Sequence, residues 1–142
     1  MTLELTKTQT FNISASDDLF FMKLLSSEHI ESELDLIFNK GVKNKVVLKF
    51  VLDNGSKLNL KVKIIIPKGS SEVETFLKFD VMVLDPDSHI NITPALEILE
   101  NNVKAGHAAS IRKFNMDEMY YLQSRGIEIK EVKKILVDAF LT

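Results

Sequence analysis

From Leu58 to Ile66 every second residue is aliphatic: Leu58, Leu60, Val62, Ile64 and Ile66. A strict period of two fits a pleated strand with one buried face and cannot be laid along one side of a helix. Lys57, Asn59, Lys61, Lys63 and Ile65 take the other face. Similar runs lie on either side. Val46 to Leu52 is β-rich and closes on the turn signal Asp53-Asn54-Gly55. Thr75 to Leu84 sets Leu77, Phe79, Val81 and Val83 on one side and ends at Asp85-Pro86-Asp87-Ser88, while Pro67-Lys68-Gly69-Ser70-Ser71 separates it from the run before. Short strands are predicted at Ile90 to Ile92 and Leu96 to Leu99, around Pro94, and weaker alternation marks Thr2 to Thr6 and Phe11 with Ile13. Evenly spaced strands with no helices between them predict a stacked β architecture. An antiparallel sandwich and a β-helix both satisfy the pattern, and no fixed-length repeat chooses between them.

Two stretches break this grammar. Ser16-Asp17-Asp18 has the composition of a helix N-cap, so a short helix is predicted near residues 17–25, with a strand near 33–38. At the other end, Asn115 with Glu118 forms a capping-box pattern ahead of an apolar face of Met116, Met119, Tyr120 and Leu122. Arg125 in the last turn and Gly126 after it suit a helix stop. A second helix is predicted from about Glu128 to Phe140, with Ile129, Val132, Ile135, Leu136, Ala139 and Phe140 as one stripe.

Composition excludes several functions. The 142 residues carry 18 Lys and Arg against 20 Asp and Glu, a net charge of -2, which argues against a globally basic nucleic-acid binder. There is no cysteine, hence no disulfide, thiolate-held metal or cysteine nucleophile within this chain. No apolar run approaches the roughly 20 residues of a membrane helix. The opening MTLELTKTQT lacks a basic stretch leading into an apolar one, so no secretory leader and a cytoplasmic location are expected.

Chemistry-bearing residues are sparse. His29, His89 and His107 are far apart, and each alone reads first as an ordinary surface or hydrogen-bonded histidine. His107 differs in lying within Ala105-Gly106-His107-Ala108-Ala109-Ser110, where small neighbours leave the imidazole room or mark close backbone packing. Asp80, Asp85 and Asp87 permit a carboxylate metal site, but turn chemistry accounts for the two that flank Pro86. Gly55, Gly69 and Gly106 stand singly and no serine occupies a nucleophile elbow, so no phosphate loop or catalytic constellation is present. The terminal helix pair invites a helix-turn-helix DNA-binding reading. Charge opposes it, because the second helix balances Glu128, Glu131 and Asp138 against Lys130, Lys133 and Lys134.

The order Leu96-Glu97-Ile98, Asn102-Val103-Lys104, His107-Ala108-Ala109-Ser110-Ile111 and Tyr121-Leu122-Gln123-Ser124-Arg125-Gly126-Ile127, followed by a helix ending at Phe140, resembles the C-terminal signature of the SufB/SufD family. The likeness is strongest over residues 95–141, and residues 33–94 resemble the family's strand-rich core more loosely. Ala108 stands where a glycine commonly follows the histidine, Arg112 replaces a later glycine, and Glu128 replaces a small cap.

The resemblance implies a mainly β fold: a short right-handed parallel β-helix over residues 1–110, then a two-helix docking element over residues 111–142. It implies a non-enzymatic scaffold of SUF-type iron–sulfur cluster assembly that docks a SufC-like ABC-type ATPase and pairs with a SufB/SufD-like subunit or with itself. By residue match, His107 is the metal or cluster-assembly candidate, and Tyr121, Leu122, Arg125, Gly126 and Phe140 shape the docking element. Without cysteine this chain alone is expected to bind no cofactor, and a cluster would need ligands from a partner. Neither nucleic acid nor membrane is an expected partner. The alternatives are a stand-alone interaction module that has lost cluster assembly and, behind it, the DNA-binding regulator.

Overall fold

The computed structural model describes Leu5, residues 7–113 and residues 116–141. Eight strands precede two helices: β1 (Thr8–Ile13), β2 (Leu19–Ser26), β3 (His29–Phe38), β4 (Lys43–Asp53), β5 (Lys57–Ile66), β6 (Val73–Val83), β7 (His89–Ile98), β8 (Val103–Lys113), α1 (Met116–Ser124) and α2 (Ile129–Leu141). They form two sheets in the orders β1-β3-β5-β7 and β2-β4-β6-β8. Each strand pairs in parallel with the next of its own sheet. The chain therefore winds from one sheet to the other and back, a parallel β-solenoid of four rungs, and the sandwich alternative is excluded.

Periodicity could not make that choice because the rungs differ in length. Thr8 lies beside Glu33, His29 beside Lys57 and Lys57 beside His89, offsets of 25, 28 and 32 residues. The alternation itself holds. Leu58, Leu60, Val62, Ile64 and Ile66 are buried, stacked between β3 residues such as Leu34 and Leu36 and the β7 side chains above. From the other sheet, Val46, Leu48 and Phe50 lie in register with Leu77, Phe79 and Val81. Each such side chain contributes about 1.5–3 kcal/mol by leaving water.

Three predictions are corrected. Residues 19–26 form β2 rather than part of a helix near 17–25. Their run is apolar on both faces, so neither period dominates, and the free edge of β4 decides the outcome. Ser16 and Asp18 do cap backbone amides, but those of the next rung: Ser16 Oγ accepts from Lys43 N at 3.1 Å and Asp18 Oδ1 from Lys45 N at 2.8 Å. The strand near 33–38 begins earlier, at His29. The two short strands around Pro94 are one, because β7 is an edge strand and needs no amide donor on its free side. The Asn115 cap, and the Thr2 to Thr6 alternation except for Leu5, lie outside the described residues.

Corners are stacked as carefully as strands. Asn54 (φ 55°) and Gly55 (φ 71°) both adopt left-handed backbone, which throws the chain from one sheet into the other instead of closing a hairpin. Buried Ser56 accepts from Glu28 N at 3.3 Å and donates to Asp53 O at 2.7 Å. Ser56 N in turn donates to buried Ser88 Oγ at 2.9 Å, and Gly55 N to Asp85 Oδ2 at 2.8 Å.

Asp85 is thus a structural cap. Burial works against its charge, but the Ser88 hydroxyl and amide, the Gly55 amide and the positive charge of Lys133 outweigh that and hold its carboxyl below the usual 3.8. Gly55 supplies the well-formed hydrogen bond, while Ser88 stands in looser geometry and leaves Oδ1 without a full partner. A depressed folded-state pKa adds stability that is present above the ordinary value and lost as pH falls through the folded one. Asp85→Asn is expected to lower stability by about 1 kcal/mol at neutral pH. Urea unfolding should show that deficit shrinking as the pH drops below about 3.8.

Candidate functional site

The last rung, β7 with β8, is the structural novelty of the C-terminal end. Among the described residues no strand pairs with the outer edge of either. Register carries the core pattern into this rung. Leu96 lies beside buried Ile64 and Ile98 beside Ile66, while His107 lies beside Leu77 and Ile111 beside Val81. These residues continue the inward face with no further rung to cover them. Leu96 is 42% exposed and Ile111 49%, and Ile98 and Leu99 are also open. Unpaired edges with apolar side chains at their rim mark an association surface.

His107 sits on this open face, exposed, with Ala105 and Ala109 next to it on the same side of β8. The small residues serve both purposes that the sequence allowed. The alanines leave the imidazole clear, whereas Gly106 is a close approach: a Cβ there would meet the Phe76 ring at 3.5 Å. Among the described residues no group of three or more His, Asp or Glu gathers as a metal site. The predicted acidic trio is dispersed. Asp80 pairs with Lys78 at 3.7 Å, Asp85 caps its corner, and Asp87 is exposed.

The helical element leans on the outer face of the β2-β4-β6-β8 sheet. Phe140 is 8% exposed and clusters with Val51 and Leu84, with Met82, Val137 and Leu141 packed around them. Lys49 reaches up from β4, donates to the Phe140 carbonyl at 2.9 Å and lies 5.0 Å from its ring centroid. A cation there also suits the negative end of the helix dipole. Lys133, near the start of α2, donates to both Asp53 oxygens at 3.0 and 3.2 Å. The predicted stripe is therefore split. Val132 and Phe140 are buried and Leu136 half-buried, whereas Ile129, Ile135 and Ala139 face outward.

The five docking candidates are divided in the same way. Tyr121 is 57% exposed with the Arg125 guanidinium 5.1 Å from its ring centroid. Gly126 (φ 83°) follows as the left-handed stop, its amide bonded to Gln123 O at 2.9 Å. Leu122 is half-buried, and Phe140 is spent inside the chain, holding α2 to the sheet. Tyr120 is exposed rather than part of the apolar face of α1. A groove of about 490 Å³ separates the helices from the sheet, lined by Arg112, Lys113, Glu118 and Leu136 among others. No sequence pattern marks Lys49 and Lys133 as anchors; their partners lie 91 and 80 residues away along the chain, and only the fold brings them together.

The architecture defines a class by its fold: a short parallel β-solenoid, open at its last rung and carrying a helical appendage. Comparison with known proteins narrows this. Residues 26–140 match the family model described as SUF system FeS cluster assembly, SufBD core domain. The chain belongs to that family. It is 30% identical over 92 residues to an iron-sulfur cluster assembly SufBD family protein of Synechocystis, covering 65% of this chain and 20% of that protein. It is 34% identical over 59 residues to the chloroplastic protein ABCI7 of Arabidopsis thaliana, covering 42% of this chain and 12% of that one. A SufBD family protein of Galdieria sulphuraria is 25% identical over 101 residues, 71% of this chain and 46% of its own length. The chain thus spans less than half the length of these relatives. Among the described residues no helix is long and apolar enough to cross a membrane.

Proposed function

We propose that this chain is a non-enzymatic scaffold of SUF-type iron–sulfur cluster assembly. The open last rung carries the reading: a solenoid that ends on unpaired edges and exposed Leu96, Ile98 and Ile111 is built to be continued by another subunit. That subunit is a SufB/SufD-like chain or a second copy, and His107 stands on the face they would share. The cluster is cargo. His107 gives a single imidazole and the chain has no thiolate, so the residues present do not make a cluster site and the remaining ligands belong to the partner.

Tyr121, Arg125 and Gly126 form the outward surface of the helical element, which docks a SufC-like ABC ATPase. Because β8 runs to Lys113, the test removes residues 114–142 and leaves the strand whole. Immobilised SUF-type ATPase is expected to retain the full chain and not the shortened one; equal retention removes the docking role. His107→Ala is expected to fold normally and to lower the maturation of iron–sulfur enzymes in cells. Unchanged maturation makes His107 a packing residue and favours an interaction module without an assembly role.

A further inference from the structure

We propose that the outer face of the β1-β3-β5-β7 sheet holds a binding site for a small multivalent oxyanion, a polyphosphate or a tricarboxylate. His29, Lys57 and His89 lie side by side on three successive rungs, with Asn59 and Asn91 in a second row two residues further along. Rungs are about 4.8 Å apart and the rows about 6.6 Å, so the donors frame a trough rather than a point. It holds about 400 Å³ and is floored by the backbone at Ile30, Leu58 and Ile90.

Two observations say that these donors are unspent. All five side chains are exposed, and among the described residues none of them has a hydrogen bond or ion pair, whereas Lys63 on the same face pairs with Glu97 at 3.9 Å. Their positions are nonetheless fixed. Lys57 N donates to Glu28 O and His89 N to Ser56 O, both at 2.8 Å, which locks the first residue of each strand to the stacked corner below it. Backbone register thus fixes the spacing of the donors along and between the strands.

The surrounding charges set where an anion would sit. Glu31 lines the β3 end of the trough and biases an anion toward Lys57, His89 and the two asparagines. Glu28, already paired with Lys23 at 3.9 Å, and exposed Asp87 flank the two histidines, and Glu33 and Lys61 offset one another in the row beyond.

The test is an NMR titration of the full chain with tripolyphosphate and, separately, citrate, at neutral pH. Saturable shifts are expected at His29, Lys57, His89, Asn59 and Asn91, with His107 unmoved, so the result is independent of the assembly role. Lys57→Gln should weaken binding about tenfold, while Lys68→Gln, an exposed lysine on another corner, should not. Tighter tripolyphosphate assigns a phosphate ligand, and tighter citrate assigns a carboxylate one. Shifts scattered over surface lysines, equal effects of the two variants, or no saturable binding of either probe would overturn the site.

Discussion

Phe50→Ala is expected to cost about 3–5 kcal/mol of folding stability. Phe50 is fully buried on β4, its ring centroid 6.0 Å from that of Phe21 on β2, and it lies in register with Val81 on β6. Its ring therefore joins three successive rungs, and truncation leaves a cavity that stiff parallel strands on either side cannot close. Domains of this size have roughly 5–15 kcal/mol in total, so the loss takes a large share of the fold. Urea unfolding followed by circular dichroism should show a much lower midpoint. Lys61→Ala, on the exposed outer face of β5, should stay within about 0.5 kcal/mol of the parent. Comparable losses from the two substitutions would mean that the inside and outside of the solenoid have been assigned the wrong way round.

That inside and outside could be read from the sequence at all is due to the period of two. Leu58 to Ile66 and Leu77 to Val83 each keep one wholly apolar face, and any fold that buries that face preserves it. Three things escaped the same reading. The sheet partner of each strand depends on offsets of 25, 28 and 32 residues, which leave no repeat to detect. The β2 segment carries Phe20, Met22 and Leu24 exposed on its outer face as well as Leu19, Phe21 and Leu25 on its inner one, so it mimics a helix. Pro94 looks like a strand breaker and is harmless on an edge.

The site divides in the same manner. His107 was singled out by its alanine-rich setting and by family likeness, and its open position on the last rung follows from being paired with Leu77. The His29, Lys57 and His89 row was not visible, since three residues at unequal spacing become neighbours only once register is known. Phe140 is among the residues expected to shape the docking element, and a terminal apolar stripe has two uses, core and partner face, which spacing alone does not distinguish. The structure assigns it to the first use.

That assignment leads to the largest effect expected in the helical element. Phe140→Ala should release α2 from the solenoid without unfolding the strands. The second cluster is small, Val51, Leu84 and Phe140 with partly buried Met82, Val137 and Leu141, so one ring makes up much of it. Losing the ring, and with it the face that Lys49 covers at 5.0 Å, costs about 3 kcal/mol, the low end for a buried aromatic. Because local opening draws only on local contacts, this should appear as a roughly 150-fold loss of hydrogen-exchange protection in α2. The β4 and β5 amides should keep theirs. Lys133 and Asp53 would still hold the first turn of α2, so Asp53→Asn combined with Phe140→Ala should free the helix further, whereas Phe140→Leu should restore much of the protection. Capture by the ATPase should fall with α2 protection across these variants if the grip requires a docked helix. Protection lost equally from α2 and the strands would show that the helix belongs to the same cooperative unit as the solenoid, and protection unchanged everywhere would show that Phe140 holds nothing in place.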